Sequence, residues 1–312
     1  VIKTLERVSK NYYYIIRGIV VKYNSIQELV DIATRENKKI SDICIKDQAQ
    51  QLEMSEEEIF QKMEESFLVM IESAKPNQTL RSTSGLTGGE GYQMMEYANK
   101  SEGGLSGRFL TRAMARAMAV SNCNAAMGKI VAAPTAGSCG ILPGCLVSMY
   151  EEGRAKKEDV IRAIFTAGAF GMVVAERASV AGAQGGCQAE CGSASGMAAA
   201  ALVELQGGTP QQCADALGMA IVNQLGLVCD PVAGLVEIPC IKRNVSGVMI
   251  AFSSADMALS GIELKIPTDE CIDAMREVGD ALPCALKETA AGGLAATPTG
   301  KKLKEQVFGQ EG

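Results

Sequence analysis

Residues 183–205 read Ala-Gln-Gly-Gly-Cys-Gln-Ala-Glu-Cys-Gly-Ser-Ala-Ser-Gly-Met-Ala-Ala-Ala-Ala-Leu-Val-Glu-Leu. The second half of this stretch predicts a helix from Ser193 to Leu205, which the glycines at positions 207 and 208 end. Its side chains are mostly small, and small side chains allow helix axes to approach closely. The first half is a glycine-rich turn that carries Cys187 and Cys191. The stretch therefore predicts a helix that packs closely and comes directly after a cysteine-bearing turn.

Helix signals extend along the rest of the chain. Capping boxes at residues 25–28 and 55–58, and a Thr-Pro start at Thr209, each predict a helix N-terminus. The predicted helices cover residues 25 to about 37, from 55 onward, 106–129, 157–177, 193–205 and 209 to near 226. Aromatic residues make up only 4%, and long runs of alternating β-branched residues are missing. We therefore predict a mainly α-helical fold, built as a single large domain.

Composition excludes several classes of function. The 312 residues carry a net charge of −6 and contain no basic block, which argues against a nucleic-acid partner. Histidine is absent, so this chain holds neither a Ser-His-Asp nor a Cys-His centre, and no histidine-ligated metal. Eleven cysteines without a secretory signal indicate a reducing compartment with metal-binding or catalytic thiols. Residues 130–150 are uncharged but broken by Pro and Gly, so we expect a cytoplasmic protein without a membrane span.

The first twenty residues differ in character from the rest of the chain. Asn11-Tyr-Tyr-Tyr-Ile-Ile16 has neither a cap nor a periodic face that links it to the helix opening at Ser25. Arg17-Gly18 can be encoded by a ribosome-binding purine run, and Val21 by a GTG start codon. We expect residues 1–20 to be a leader, non-native or disordered, and residues 21–312 to form the domain. The alternative is a genuine extension.

Glycine-rich joints are where we expect chemistry, because glycines and hydroxyls beside a helix N-terminus expose N–H groups that bind carboxylate or phosphate. Four such joints occur, and we name them in chain order: the first (82–89), second (133–140), third (183–192) and fourth (229–240) joints. The first joint lacks a Gly-Lys-Ser/Thr ending, so a nucleotide loop is weakly supported. Any one joint alone is more simply a tight turn. Four joints, three of which hold cysteine, predict loops that converge on one site.

Three cysteines keep a distinctive spacing. Forty-one residues separate Cys187 from Cys229, and ten separate Cys229 from Cys240. Three thiolates are one fewer than close an ordinary iron–sulfur or zinc site, and a cluster held by three leaves one metal corner free for substrate. With Cys191 the set could instead form a four-thiolate zinc site, although ten intervening residues are loose for zinc. Spacing alone leaves iron–sulfur, zinc and no metal open. Six further cysteines are more simply read as small buried hydrophobes: Cys44, Cys123, Cys145, Cys213, Cys271 and Cys284.

Three longer motifs favour one of these alternatives, iron–sulfur, over zinc or no metal. They are Ala132-Ala-Pro-Thr-Ala-Gly-Ser-Cys-Gly-Ile-Leu-Pro-Gly144, Gly186-Cys-Gln-Ala-Glu190 with Gly192-Ser-Ala194, and Cys229-Asp-Pro-Val-Ala-Gly-Leu-Val-Glu-Ile-Pro-Cys-Ile-Lys-Arg-Asn244. Together they resemble the iron–sulfur-dependent L-serine dehydratases, in particular the alpha chain of the two-subunit bacterial form. The resemblance runs from about Tyr23 to the C-terminus. It implies a helical iron–sulfur catalytic domain over 21–312 and a beta chain that supplies the histidine this chain lacks.

The resemblance also implies a reaction and a ligand set. Cys187, Cys229 and Cys240 would hold a [4Fe–4S] cluster, and Cys191 would not be a ligand. The iron without a thiolate would act as a Lewis acid for the hydroxyl of L-serine, so that serine is dehydrated and deaminated to pyruvate and ammonia without pyridoxal phosphate. The rival classes are a zinc-stabilised binding protein and a thiol redox protein using Cys187 and Cys191, although redox proteins normally space such a pair as Cys-x-x-Cys.

The remaining candidate residues lie in the first two joints and beside the cysteines. We expect the substrate carboxylate to bind at Ser84, Gly85, Thr87 and Gly88, and at Thr135, Gly137 and Ser138. Arg243 and Asn244 come after the last cysteine and could orient the cluster or the substrate. Ser138, Lys129 or a beta-chain histidine could remove the α-proton. The simpler alternatives are plain turns for the joints and surface solvation for Lys129.

Overall fold

A computed structural model describes residues 23–100 and 103–309, and the expected leader at 1–20 lies outside them. Helices make up the regular structure of this part of the chain, which confirms the mainly α-helical prediction. One isolated bridge pairs Cys229 with Lys287. None of the described helices is both long enough and apolar enough to cross a membrane. The α-helices are α1 (Ile26–Glu36), α2 (Ile40–Gln51), α3 (Glu56–Ser73), α4 (Glu90–Lys100), α5 (Gly107–Ala125), α6 (Ile141–Glu151), α7 (Lys157–Arg177), α8 (Gly182–Gly185), α9 (Ser193–Leu205), α10 (Pro210–Val222), α11 (Cys240–Leu259), α12 (Thr268–Ala281) and α13 (Pro298–Phe308).

The sequence signals for helix starts are confirmed where a side-chain cap was expected. The hydroxyls of Ser25, Ser55 and Thr209 each accept a hydrogen bond from the backbone N–H three residues later. Two helix ends differ from expectation. Helix α5 ends at Ala125 because Met127 takes a left-handed backbone conformation, with φ of 61°. Helix α10 ends at Val222, where the chain turns so that the Leu227 carbonyl can accept the Gln188 N–H.

Helix α9 lies at the centre of the molecule. Every residue from Ser193 to Glu204 is buried, and the helix packs against α6, α7, α10 and α11. A helix that is covered on all sides has no polar face, which explains why this segment is built from Ala, Ser, Gly and Leu. Its one acidic residue, Glu204, is satisfied inside the core, because its carboxylate accepts hydrogen bonds from the Thr166 hydroxyl and the Ser41 N–H.

All four glycine-rich joints lead into helix N-termini. The first precedes α4, the second α6, the fourth α11, and the third passes through a π-helical turn, Gln188–Gly192, into α9. Asn244 on α11 ties the second joint to the fourth: its side-chain amide donates to the carbonyls of Gly137 and Cys240, and its oxygen accepts from the Gly140 N–H. The joints therefore meet at the positive ends of several helix dipoles, where electron-rich groups are stabilised.

Close packing between α4 and α5 provides a test of the fold. A Cβ added at Gly91 would lie 2.7 Å from the Ala119 backbone nitrogen, and backbone cannot rotate away. Intrinsic helix propensity favours alanine over glycine by about 1 kcal/mol. We nevertheless expect Gly91→Ala to destabilise the protein by about 1–3 kcal/mol, because overpacking outweighs propensity.

The matched control is Gly168→Ala in α7, where an added Cβ meets nothing within 4 Å. This control should stabilise the protein by up to about 1 kcal/mol. Urea unfolding of both variants measures the two changes. If both substitutions changed the free energy of unfolding by the same amount and in the same direction, α4 and α5 would not pack this closely.

Candidate cysteine-centred site

The three predicted ligand cysteines lie together, although they come from two joints. Cys187 precedes the π-helical turn, Cys229 forms the isolated bridge to Lys287, and Cys240 begins α11. All three are buried, with 2%, 3% and 7% of each residue exposed. They are close enough that Cys187 raises the pKa of both Cys229 and Cys240, and Cys240 also raises the pKa of Cys229. A fourth thiol, that of Cys191, lies 3.4 Å from the Cys187 sulfur.

Burial dominates the ionisation of these thiols. It raises the pKa of Cys240 to about 12, and it also raises the pKa of Cys229. Cys187 behaves differently, because the hydrogen bond it shares with Cys191 lowers its pKa and the nearby Arg243 guanidinium adds to this effect. The same hydrogen bond raises the pKa of Cys191. The site therefore combines one thiol whose pKa is lowered with others whose pKa burial raises, and these others need a nearby positive charge to become thiolates.

Glu190 joins the third joint to the second. Its carboxylate is buried and accepts a hydrogen bond from the Thr135 hydroxyl at 2.9 Å, and Thr135 lies 3.1 Å from the Ser138 hydroxyl. A Cβ on Gly137 would lie 2.9 Å from a carboxylate oxygen of Glu190, so any larger residue there would displace this carboxylate. Burial raises the pKa of Glu190, while the Thr135 hydrogen bond partly opposes the rise.

Glu237 joins the fourth joint to the first. It is 4% exposed, and its carboxylate accepts hydrogen bonds from the Ser84 hydroxyl at 2.8 Å and the Thr87 hydroxyl at 2.6 Å. Two of the hydroxyls predicted to bind substrate are thus engaged within the protein. Three of the joint's amide groups also find internal acceptors, those of residues 86, 87 and 88. Gly85 and Gly88 both have positive φ, at 75° and 144°, as this tight loop requires.

The two predicted site residues that come after Cys240 on α11 hold loops in place. Arg243 donates to the Val228 carbonyl and forms an ion pair with Asp230 at 2.7 Å. Asn244 is 1% exposed and bonds to both Gly137 and Gly140 of the second joint. Lys129 is placed differently, because it is exposed and its described side chain makes no ion pair or hydrogen bond with the site. Its proposed catalytic role stays a prediction.

The cysteine thiols of the site suit a metal cluster better than a single metal ion. Among the residues with described positions, no three Cys, Asp or Glu side chains converge closely enough to hold a single metal ion. Thiolates that share one zinc lie about 4 Å apart, whereas thiolates of a cubane cluster each bind a different iron and stand farther apart. The three buried thiols therefore do not fit one shared zinc, and their number matches the three thiolates that a cluster with one open iron needs.

Sequence reasoning missed the two buried carboxylates. Glu190 and Glu237 both lie inside the motifs that carry the family resemblance, yet neither was assigned a role. A signal was present, because each acid sits among Gly, Pro and Cys rather than in a polar stretch. An acid in such a setting is normally buried and paired. Their partners, Thr135, Ser84 and Thr87, lie 55 to 153 residues away, so only the folded chain identifies them.

Comparison with known proteins agrees with the geometry. The model of the serine dehydratase alpha chain family matches residues 35–295, so the chain belongs to that family. It is 49% identical over 288 residues to the probable L-serine dehydratase, alpha chain, of Bacillus subtilis (strain 168), covering 92% of this chain and 96% of that protein. The L-serine dehydratase, alpha chain, of Peptoniphilus asaccharolyticus is 45% identical, covering 91% and 98%. L-serine dehydratase TdcG of Escherichia coli (strain K12) is 43% identical over 182 residues, which are 57% of this chain and 40% of that protein.

Replacing Glu237 should loosen the first joint. Glu237→Ala leaves the Ser84 and Thr87 hydroxyls without their charged acceptor, and we expect a loss of about 2–4 kcal/mol in the free energy of unfolding. Trypsin should also cut faster after the exposed Arg81, which immediately precedes the joint. The control is Glu65→Ala on the surface of α3, which should change stability by less than about 0.5 kcal/mol. Unchanged cleavage at Arg81 would show that Glu237 does not hold the joint.

The raised pKa of Glu190 predicts that this residue lowers the free energy of unfolding by an amount that depends on pH. A carboxyl group with a higher pKa in the folded state costs stability as pH rises above its ordinary value of about 4.3, and each unit of rise costs about 1.4 kcal/mol. Glu190→Gln does not titrate, so its melting temperature relative to wild type should increase as pH rises from about 4 through the raised pKa. Differential scanning fluorimetry from acid to neutral pH measures this difference. A difference that stays constant across that range would contradict the burial of an ionisable carboxyl.

Proposed function

We propose that this chain is the alpha chain of an L-serine dehydratase, which converts L-serine to pyruvate and ammonia with a [4Fe–4S] cluster at Cys187, Cys229 and Cys240. The observation that carries the proposal is the proximity of these three buried thiols, two of which lie at helix N-termini, in a chain of this family. When bound, the cluster would supply a Lewis-acidic iron for the hydroxyl leaving group. We propose no pyridoxal phosphate.

The second joint is the better place for the substrate carboxylate. In the described part of the chain, the amides of Gly137 and Ser138 find no hydrogen-bond acceptor, although both residues are buried. Buried amides normally have partners, and two of them before the N-terminus of α6 suit an anionic group. The first joint has already used most of its donors on Glu237 and on itself. We therefore assign carboxylate binding to Thr135, Gly137 and Ser138, and a supporting role to Ser84 and Thr87.

A path for the α-proton is available through the same hydrogen bonds. Ser138 contacts Thr135, and Thr135 donates to Glu190. A proton taken up at Ser138 can pass through the Thr135 hydroxyl to the Glu190 carboxylate, whose raised pKa suits it to hold a proton. Loss of the hydroxyl and this proton gives aminoacrylate, which tautomerises to an imine that water hydrolyses. Lys129 and a histidine from the beta chain remain candidates for the first acceptor.

The proposal includes a second subunit. Two relatives named as alpha chains match this chain over nearly their whole length, whereas the relative named without a chain label is matched over 40% of its length. This pattern supports an enzyme divided between two chains. We propose that a beta chain contributes the histidine that this chain lacks.

Loss of one ligand tests the proposal. Cys187→Ser, Cys229→Ser and Cys240→Ser each remove a thiolate from a set with none spare, so iron, sulfide and pyruvate formation should fall near the detection limit. Cys213→Ser and Cys271→Ser, which alter equally buried thiols outside the site, should retain about four irons per chain and most activity.

The measurement uses alpha and beta chains purified together without oxygen. Iron and sulfide analysis, absorption at about 400 nm and a pyruvate assay with L-serine are read on each variant. Zinc in place of iron would overturn the cluster assignment. A cluster without pyruvate formation, with both chains present, would overturn the serine dehydratase assignment.

A further inference from the structure

Cys191 has a contact that the proposed reaction does not use. Its sulfur lies 3.4 Å from the sulfur of Cys187 across one turn of the π-helical segment. No other two thiols of the described cysteines are in hydrogen-bond contact. A buried cysteine is often simply a small hydrophobe, but one placed against a reactive thiol has a second option, because two such thiols can form a disulfide.

The surrounding structure keeps the two sulfurs together. Gln188, between them in sequence, is fixed at three points: its N–H donates to the Leu227 carbonyl, its side-chain amide donates to the Met275 carbonyl, and its side-chain oxygen accepts from the Gly226 N–H. The Cys191 carbonyl accepts from the Ser195 hydroxyl. A disulfide requires a sulfur–sulfur distance of about 2.05 Å. The two sulfurs must therefore move closer by about 1.4 Å for the bond to form.

The two thiols differ in their access to solvent. Cys187 is 2% exposed, whereas Cys191 is fully buried. We therefore treat Cys187 as the thiol that is oxidised first, and oxidation of either thiol leads to the same disulfide. Oxidation of a thiol by peroxide gives a sulfenic acid, which condenses with a neighbouring thiol, and redox-sensitive cysteines are often placed beside such a resolving cysteine.

We propose that Cys191 is the resolving thiol of Cys187. When the Cys187 sulfur is not bound to iron, hydrogen peroxide oxidises it to the sulfenic acid and releases one water. The Cys191 thiol then attacks that sulfur, a second water leaves, and an intrachain disulfide forms. Two thiols have lost two electrons to one peroxide, and a dithiol reductant restores both. The inference rests on the proposed function only in making Cys187 a cluster ligand.

The consequence is protection of a cluster ligand. A sulfenic acid without a partner is oxidised further to sulfinic acid, which thiols cannot reduce. The disulfide stops this progression, so the ligand can be recovered. Rebuilding a cluster after oxidative loss would then need a thiol reductant in addition to iron and sulfide.

The chain offers a direct measurement, because Glu190 lies between the two cysteines. Cleavage after glutamate gives fragment 177–190, whose one cysteine is Cys187, and fragment 191–204, whose one cysteine is Cys191. Full-length protein is stripped of metal, reduced, treated with hydrogen peroxide, alkylated and digested. The two fragments should run as one species about 2 Da lighter than their sum and separate after dithiothreitol.

Two variants complete the test. In Cys191→Ser, excess peroxide should add about 32 Da to fragment 177–190, and dithiothreitol should recover at least about five-fold less free Cys187 than in wild type. Cys213→Ser, which alters a buried thiol outside this pair, should behave as wild type. If Cys191→Ser unfolds, Cys191→Ala takes its place. The digest of the wild-type protein shows by itself whether the disulfide forms.

Separate fragments from oxidised wild type would overturn the inference. So would Cys187 joined to fragment 205–237, which carries Cys213 and Cys229, or to fragment 238–263, which carries Cys240. Because the readout is a mass measured on metal-free protein, it does not depend on turnover. A chain that formed the disulfide but never bound iron would contradict the proposed function and leave the thiol chemistry standing.

Discussion

Burial of α9 on every side is the constraint on which the other elements depend. Four helices must pack around it, and they can approach only because its side chains are small. The helix has no polar face, so its N-terminal end cannot reach solvent. The segment 187–192, which contains Cys187, Glu190 and Cys191, continues directly into α9 and is buried with it. Reactive groups are held at this position by the rigidity of the core.

Two buried carboxylates determine how the joints meet. Removing an acid from water is costly unless hydrogen bonds replace its hydration, and each of these acids finds hydroxyl donors on a distant joint. Glu190 engages Thr135, and Glu237 engages Ser84 and Thr87. The loops are thus joined in pairs by side chains rather than by backbone pairing, which is in keeping with the scarcity of extended structure among the described residues. A helical protein can hold long glycine-rich loops still in this way.

The low-dielectric surroundings have opposite consequences for different groups at the site. Burial keeps Cys229 and Cys240 protonated and favours the protonated form of Glu190. Helix N-termini and the Arg243 guanidinium favour electron-rich groups at the same place. A site of this kind binds thiolate-ligated metal only when the metal's own charge offsets the desolvation. The raised pKa also means that the Glu190 carboxylate can receive a proton at a pH where a surface glutamate would stay ionised.

The sequence by itself determined the helical class, the starts of α1, α3 and α10, both bounds of α7 and α9, and the family. These depend on local caps, on residue size and on contiguous motifs, all of which act over a few residues. Only the tertiary structure decided which hydroxyls are consumed by Glu190 and Glu237, that Lys129 lies in solvent, and that Cys191 contacts Cys187. Such pairings join residues far apart in the chain, or depend on side-chain direction within a turn. Desolvation, which sets the ionisation of the site, exists only after the core has closed around α9.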